Sequence, residues 1–170
     1  MPRETRSSQT TAIQVIVEPI SSFYALLSTF PYLPATDILT PPSAGWAPRN
    51  IANFRKLGKT DLVVEILKHL PYIRTDDNRK WRLGYDDTIP ITYVEVPGSW
   101  DGAEHRLAKL EGQADQGFLW NSGIEPHGQR LDKHVLALTN GSMYGAWLLL
   151  DTEAGKLSSL YFLRTNFDPN

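Results

Sequence analysis

No cysteine occurs among the 170 residues of the chain. This absence excludes disulfide bonds, thiolate metal sites and cysteine nucleophiles, and it fits a reducing compartment. The polar N-terminal residues 1–11 are not followed by the apolar core and small-residue cleavage site of a secretory signal. We therefore expect a cytoplasmic or nuclear protein.

Long apolar runs and a strong net charge are also lacking. The longest apolar runs, such as residues 146–150, are far shorter than the roughly 20 residues of a membrane span. The net charge is −2, with 11 Lys/Arg and 7 Asp/Glu in residues 1–85 against 6 and 12 in residues 86–170. The basic first half is either the solvated side of a helix pair or a surface for an acidic partner. Neither nucleic acid nor a membrane is expected to bind.

The composition is that of a folded protein, with 41% hydrophobic and 11% aromatic residues. We predict a disordered arm over residues 1–12 and a single α+β domain over residues 13–170. Five of the twelve prolines fall in residues 30–48. This density predicts an extended wrap without regular elements, packed on the domain through its apolar residues.

One helix and two short strands are predicted from side-chain spacing. Residues 13–17 are typical of a short strand that ends before Pro19. A helix capped by Ser21 or Ser22 should follow. It carries apolar residues at i, i+3, i+4 and i+7, namely Ile20, Phe23, Tyr24 and Leu27. A second strand is predicted over residues 89–96.

A helix pair is predicted further along the chain. Residues 51–57 should form a short helix that ends at Gly58, and Thr60 should cap the next helix. Pro71 should stop that helix. Its core side repeats the i, i+3, i+4, i+7 pattern with Val63, Ile66, Leu67 and Leu70.

A three-stranded antiparallel meander is predicted over about residues 134–163. Turn signals at Asn140-Gly141 and at residues 152–155 separate three apolar runs. The predicted fold is thus α+β, with N-terminal helices packed on an antiparallel sheet that ends in this meander.

Few residues suggest chemistry. Gly58-Lys59-Thr60 is like the tail of a phosphate-binding loop, but the glycine that this motif needs at position 53 is Asn53, so a helix end followed by a cap explains it better. No two of the four histidines have the spacing of a metal pair on a helix, and neither a metal nor a cofactor is expected. The candidate catalytic residues are loop residues that turn chemistry also explains: Tyr85, Asp86, Asp87 and His127.

Aromatic and basic residues outside the periodic runs are the candidate binding residues. The alternative is that the tryptophans cover the core from loops. The set consists of Trp46, Trp81, Trp100, Trp120, Arg79 and Arg82.

Three segments resemble a group of uncharacterised fungal proteins and, through them, the SUKH superfamily. They are residues 67–73 (LKHLPYI), residues 134–139 (HVLALT) and residues 145–152 (GAWLLLDT) with Gly155. The likeness covers roughly residues 49–163. It implies helices followed by an antiparallel sheet, a late strand that ends in an aspartate–glycine turn, and a binding or scaffolding role without catalytic residues.

Two functions are therefore predicted. The first is a non-catalytic protein-interaction or scaffolding domain, with an unidentified protein partner and an exposed apolar patch rimmed by charge. The alternative is a small metal-free enzyme or binding protein, of the isomerase or cyclase kind, for an apolar metabolite.

Overall fold

The computed structural model describes residues 6–47, 58–74, 81–83, 88–94, 126, 131–141 and 145–161. The regular structure of these residues consists of two α-helices, a 3₁₀ turn and seven short strands. This arrangement confirms the α+β class. The elements are α1 (Arg6–Leu27), the 3₁₀ turn (Ala35–Asp37), β1 (Ile38–Leu39), α2 (Asp61–His69), β2 (Tyr72–Ile73), β3 (Ile89–Pro90), β4 (Val135–Ala137), β5 (Thr139–Asn140), β6 (Ala146–Asp151) and β7 (Lys156–Tyr161).

The first helix is longer than the sequence predicts. Residues 13–17 are helical, so the predicted strand is wrong, and the first turns of α1 occupy residues 6–12, which the sequence assigns to a disordered arm. The physical reason is that the apolar residues of this stretch also recur at helical spacing and pack on the core. They are Ile13, Ile16, Val17 and Ile20.

The predicted caps of this helix are wrong as well. Ser21 lies inside α1, where its Oγ donates a hydrogen bond of 2.8 Å to the carbonyl oxygen of Val17 one turn earlier. Pro19 also lies inside the helix, although it has no N–H to donate to the preceding turn. Packing of one side of α1 on the core therefore outweighs the helix-breaking signal of the proline.

The proline-rich segment contains two short regular elements, which the prediction of a wholly irregular wrap did not allow. Six consecutive residues between Pro34 and Pro41 contain no proline, so their N–H groups are free to donate. The N–H of Asp37 donates to the carbonyl oxygen of Pro34, which closes the 3₁₀ turn. Strand β1 then pairs antiparallel with β2.

The second helix matches its prediction. The hydroxyl of Thr60 accepts a hydrogen bond from the N–H of Val63, which satisfies one of the free donors at the start of α2. The predicted apolar side is fully buried. Gly58 has a φ of +74°, the left-handed conformation expected of a glycine that ends a helix. The helix predicted over residues 51–57 lies outside the described residues.

Lys59 joins the start of α2 to the start of β4. Its Nζ lies 2.9 Å from the carbonyl oxygen of Val135 and 3.1 Å from that of Asp132. The N–H of Thr60 donates to the carbonyl oxygen of Lys133 at 3.0 Å. These contacts and the cap account for Gly58-Lys59-Thr60 as structural residues.

The predicted meander is confirmed as a three-stranded antiparallel sheet in the order β4-β6-β7. The first strand, however, is interrupted at Leu138. The residues after the interruption form β5, which pairs with β3 instead of extending β4. The strand predicted over residues 89–96 forms only at its first two residues, which are β3. Residues 91–94 are irregular, so the prediction is wrong there, and residues 95–96 lie outside the described residues.

Two clusters of buried side chains form the core. The larger cluster joins α2, residues 91–94 and the β4–β6 pair, with Leu67 and Ile66 completely buried. The smaller one combines Tyr24 of α1 with Leu33 and Ile73. Burial raises the pKa of Tyr24 to about 12, which keeps its hydroxyl neutral at physiological pH.

Candidate functional site

Helix α1 has apolar side chains on two adjacent sides. One side packs on the core and the other, here called the outer face, is formed by Val15, Pro19, Phe23, Leu26 and Phe30. The exposed fractions are 67% for Val15, 45% for Phe23, 55% for Leu26 and 50% for Phe30. These positions follow i, i+4, i+8, i+11 and i+15, which places them along one side of a helix.

The last member of the outer face follows the end of the helix. The N–H groups of Thr29 and Phe30 donate to the carbonyl oxygens of Leu26 and Leu27 at 3.0 and 3.2 Å. These two tight turns continue the helical path beyond Leu27. Phe30 therefore stays next to Leu26 on the outer face.

Charge is nearly absent from this part of the chain. Glu18 is the only charged residue between Arg6 and Asp37. Four aromatic residues lie in the same interval, namely Phe23, Tyr24, Phe30 and Tyr32. Depletion of charge together with enrichment of aromatic residues is the composition that distinguishes the centres of protein–protein interfaces from other protein surfaces.

Two predicted binding residues lie beside the C-terminal end of α1. The ring of Tyr32, which is 44% exposed, meets the ring of Trp81 edge to face, with 5.9 Å between centroids. Its hydroxyl donates to the carbonyl oxygen of Arg82 at 3.1 Å. The structure thus brings Trp81 and Arg82 together with an exposed aromatic residue that the sequence did not single out.

Trp46, in contrast, is used within the fold. Its Nε1 donates to the carbonyl oxygen of Leu70 at 2.8 Å, and its own N–H donates to that of Lys68 at 2.8 Å. The ring packs on Tyr72 with 6.0 Å between centroids. Trp46 therefore closes the C-terminal end of α2, as the core-covering alternative expects.

The other candidates lie outside the described residues, so their roles stay predictions. They are Trp100, Trp120 and Arg79 for binding, and Tyr85, Asp86, Asp87 and His127 for catalysis. Within the part of the chain that the structure describes, no three histidine, aspartate or glutamate side chains are grouped so as to hold a metal ion.

One group of titratable side chains lies at the turn between β6 and β7. Nε2 of His134 is 3.9 Å from Oδ2 of Asp151, and its Nδ1 is 3.8 Å from Oε2 of Glu153. Oδ1 of Asp151 accepts hydrogen bonds from the N–H groups of Ala154 at 2.8 Å and Glu153 at 3.0 Å. The bond from Ala154, the bond from Glu153 and the nearby His134 lower the pKa of the Asp151 carboxyl below its usual value of 3.8. The Asp151 carboxylate therefore stabilises the backbone of the turn between β6 and β7.

The substitution Asp151→Asn should lower the free energy of unfolding at pH 7 but not at low pH. Because the folded-state pKa is lowered, ionised Asp151 stabilises the fold above pH 3.8, and this contribution is lost as the pH falls through the lowered pKa. Asparagine keeps the oxygen that accepts both N–H groups and removes only the charge. Urea denaturation at a series of pH values should show the two proteins converging in acid.

Glu153→Gln is the control for that series, since it removes a neighbouring charge without altering the acceptor in the turn. A constant difference between wild type and Asp151→Asn at all pH values would contradict the role given to the charge.

Comparison with protein-family models, curated proteins and solved structures finds no match for this chain. The resemblance to the SUKH superfamily accordingly stays a prediction. In the described residues, neither helix combines the length and hydropathy needed to cross a bilayer. The class of protein is set by the fold alone, an α+β chain with an exposed apolar helix face.

The outer face does not follow from the sequence when residues 13–17 are assigned to a strand. A helix starting before Ile13 would have placed Val15 in line with Phe23 and Leu26. The scarcity of charged residues between Arg6 and Asp37 is a second feature of the sequence that indicates an interaction surface.

Proposed function

We propose that this chain is a non-catalytic protein-interaction domain that binds its partner through the outer face of α1. The observation that carries the proposal is the row of half-exposed apolar side chains on that face. Contiguous apolar surface of several hundred Å² on a soluble domain marks an interaction site far more often than isolated exposed residues do. Tyr32, which contacts Trp81 and Arg82, adds an exposed aromatic ring two residues after Phe30.

The outer face is better suited to binding a protein than to binding a lipid membrane. Helices that lie in a membrane interface carry Lys and Arg on the polar side, where they meet anionic head groups. Helix α1 contains two charged residues, Arg6 in its first turn and the acidic Glu18. The helix therefore lacks the row of basic residues that would meet an anionic membrane, while its apolar and aromatic side chains favour a protein interface.

Affinity capture from an extract of the source cells tests the proposal. The baits are the wild-type chain, Leu26→Glu on the outer face and Leu157→Glu on β7. The two leucines are 55% and 58% exposed, so each substitution replaces an equally exposed leucine by a carboxylate. A partner of the outer face should be retained by wild type and Leu157→Glu, and at least about tenfold less by Leu26→Glu, because the charge would be desolvated in the interface.

Thermal melting of the three baits by circular dichroism should give similar midpoints, since both positions are exposed. Equal retention of every captured protein by Leu26→Glu and wild type would contradict the proposal.

A further inference from the structure

We propose that the outer face of α1 binds a second copy of this chain, with the two helices antiparallel about a twofold axis that passes between Ser22 and Phe23. This inference rests on the proposed function and names its partner. It is carried by the symmetry of the face, by its area and by the position of Glu18 on the same helix.

The outer face is symmetric about the bond between Ser22 and Phe23. Val15 lies seven residues before Ser22, and Phe30 lies seven residues after Phe23. Pro19 and Leu26 lie three residues before and after the same pair. A twofold axis requires that if residue i of one copy meets residue j of the other, then j also meets i. Antiparallel helices centred here pair the positions of the face with one another, except that Phe23 pairs with the neighbouring Ser22.

Each facing pair combines a smaller side chain with a larger one. Val15 faces Phe30 of the second copy, and Pro19 faces its Leu26. At the centre, the exposed Ser22 faces Phe23. Facing positions that alternate in size allow side chains of two helices to interdigitate at the usual interaxial distance of about 8–10 Å. A face with its large residues at matching positions would hold the helices apart.

The exposed area suffices for a weak dimer. At these exposures the outer face and the neighbouring exposed Ser22 present roughly 500 Å² per copy. Two copies would bury at most about 1,000 Å², the smallest area expected of a specific interface. Interfaces at this limit are weak or transient, so we expect a dissociation constant in the micromolar range.

Glu18, the one charged residue between Arg6 and Asp37, does not oppose this pairing. In the antiparallel arrangement Glu18 lies level with residue 27 of the second copy. The two Glu18 residues are then nine positions apart along the axis, or about 14 Å, which exceeds the Debye length of about 8 Å at physiological ionic strength. A parallel arrangement would place the two carboxylates side by side, so the antiparallel one is favoured.

Light scattering after size exclusion, with the full chain loaded over a range of concentrations, tests the inference. Wild type should pass from monomer to twice the monomer mass by about 100 μM, as expected for micromolar dissociation. Leu26→Glu should raise the dissociation constant at least about tenfold, because it places a carboxylate against Pro19 of the second copy. Leu157→Glu, on another element, should dimerise as wild type does.

A charge pair tests the register itself. Adding Pro19→Lys to Leu26→Glu should restore the dimer, because the introduced ammonium group of each copy would face the introduced carboxylate of the other. Equal mixing of the two single variants should likewise produce a mixed dimer. Wild type that stays monomeric at about 100 μM, or a dimer that Leu26→Glu leaves unchanged, would overturn the inference.

The result that would contradict the proposed function differs from the result that would contradict self-association. If wild type is monomeric but Leu26→Glu loses a captured protein that Leu157→Glu retains, the outer face binds another partner and only the self-association is wrong. If the chain is monomeric and capture is the same for all three baits, both proposals fail.

Discussion

Leu67→Ala should lower the free energy of unfolding by about 3–4 kcal/mol. Leu67 of α2 is completely buried and belongs to the larger core cluster, which α2 shares with the β4–β6 pair. Removing its branched side chain loses the transfer free energy of three carbon atoms and leaves a cavity that the rigid sheet cannot fill. Urea denaturation followed by circular dichroism measures the loss.

Leu157→Ala is the matched control, because it makes the same change at a side chain that is 58% exposed. Its cost should stay within about 0.5 kcal/mol of zero. Similar losses for the two variants would mean that α2 does not form the centre of the core.

The second helix could be predicted in full because all its determinants are local. Thr60 caps it, Pro71 follows it, and four of the six apolar residues between them have the spacing of one helix side. Burying this side needs no choice between competing patterns, since the stretch has no alternation typical of a strand. The same reasons explain the prediction of the meander, whose turns are set by adjacent residues such as Gly155 with a φ of +61°.

The first helix could not be predicted, because its sequence satisfies two patterns. Residues 13–17 are rich in β-branched residues, which favour strands, yet they also fit a helix with apolar residues on both sides. Pro19 reinforced the wrong interpretation. Tertiary packing on α2 decides between the patterns, and this information is not present in the local sequence.

The candidate site was predicted only in part for a similar reason. Trp81 and Arg82 were identified from residue type alone. Their neighbour Tyr32 lies 50 positions from Arg82 along the chain, and no spacing rule connects them. The outer face was hidden behind the wrong secondary structure of residues 13–17. Long-range contacts and helix orientation thus determine which apolar residues stay exposed.

Thr139→Val should lower the free energy of unfolding by about 2–4 kcal/mol, although the two side chains have nearly the same shape. Thr139 is 1% exposed. Its hydroxyl donates to the carbonyl oxygen of Ala146 at 2.8 Å and accepts from the N–H of Leu148 at 2.8 Å. Valine would leave both backbone groups buried without a partner, and each such group costs about 1–3 kcal/mol.

Thr139→Ser separates the hydrogen bonds from the packing, since serine keeps the hydroxyl and loses the methyl group. It should cost about 1 kcal/mol, less than valine does. If valine proved the milder of the two, packing and not hydrogen bonding would hold this position.

The cost at Thr139 follows from the interruption of the sheet. Before Leu138 the chain pairs with β6 as strand β4, and after it the chain pairs with β3 as strand β5. The backbone of β5 therefore does not pair with Ala146 and Leu148 of β6. The hydroxyl of Thr139 supplies the donor and acceptor that a neighbouring strand would otherwise provide. Hydrogen exchange should therefore show the amide of Leu148 losing protection in Thr139→Val and keeping it in Thr139→Ser. Loss of protection in both variants would mean that the side-chain bridge does not join β5 to β6.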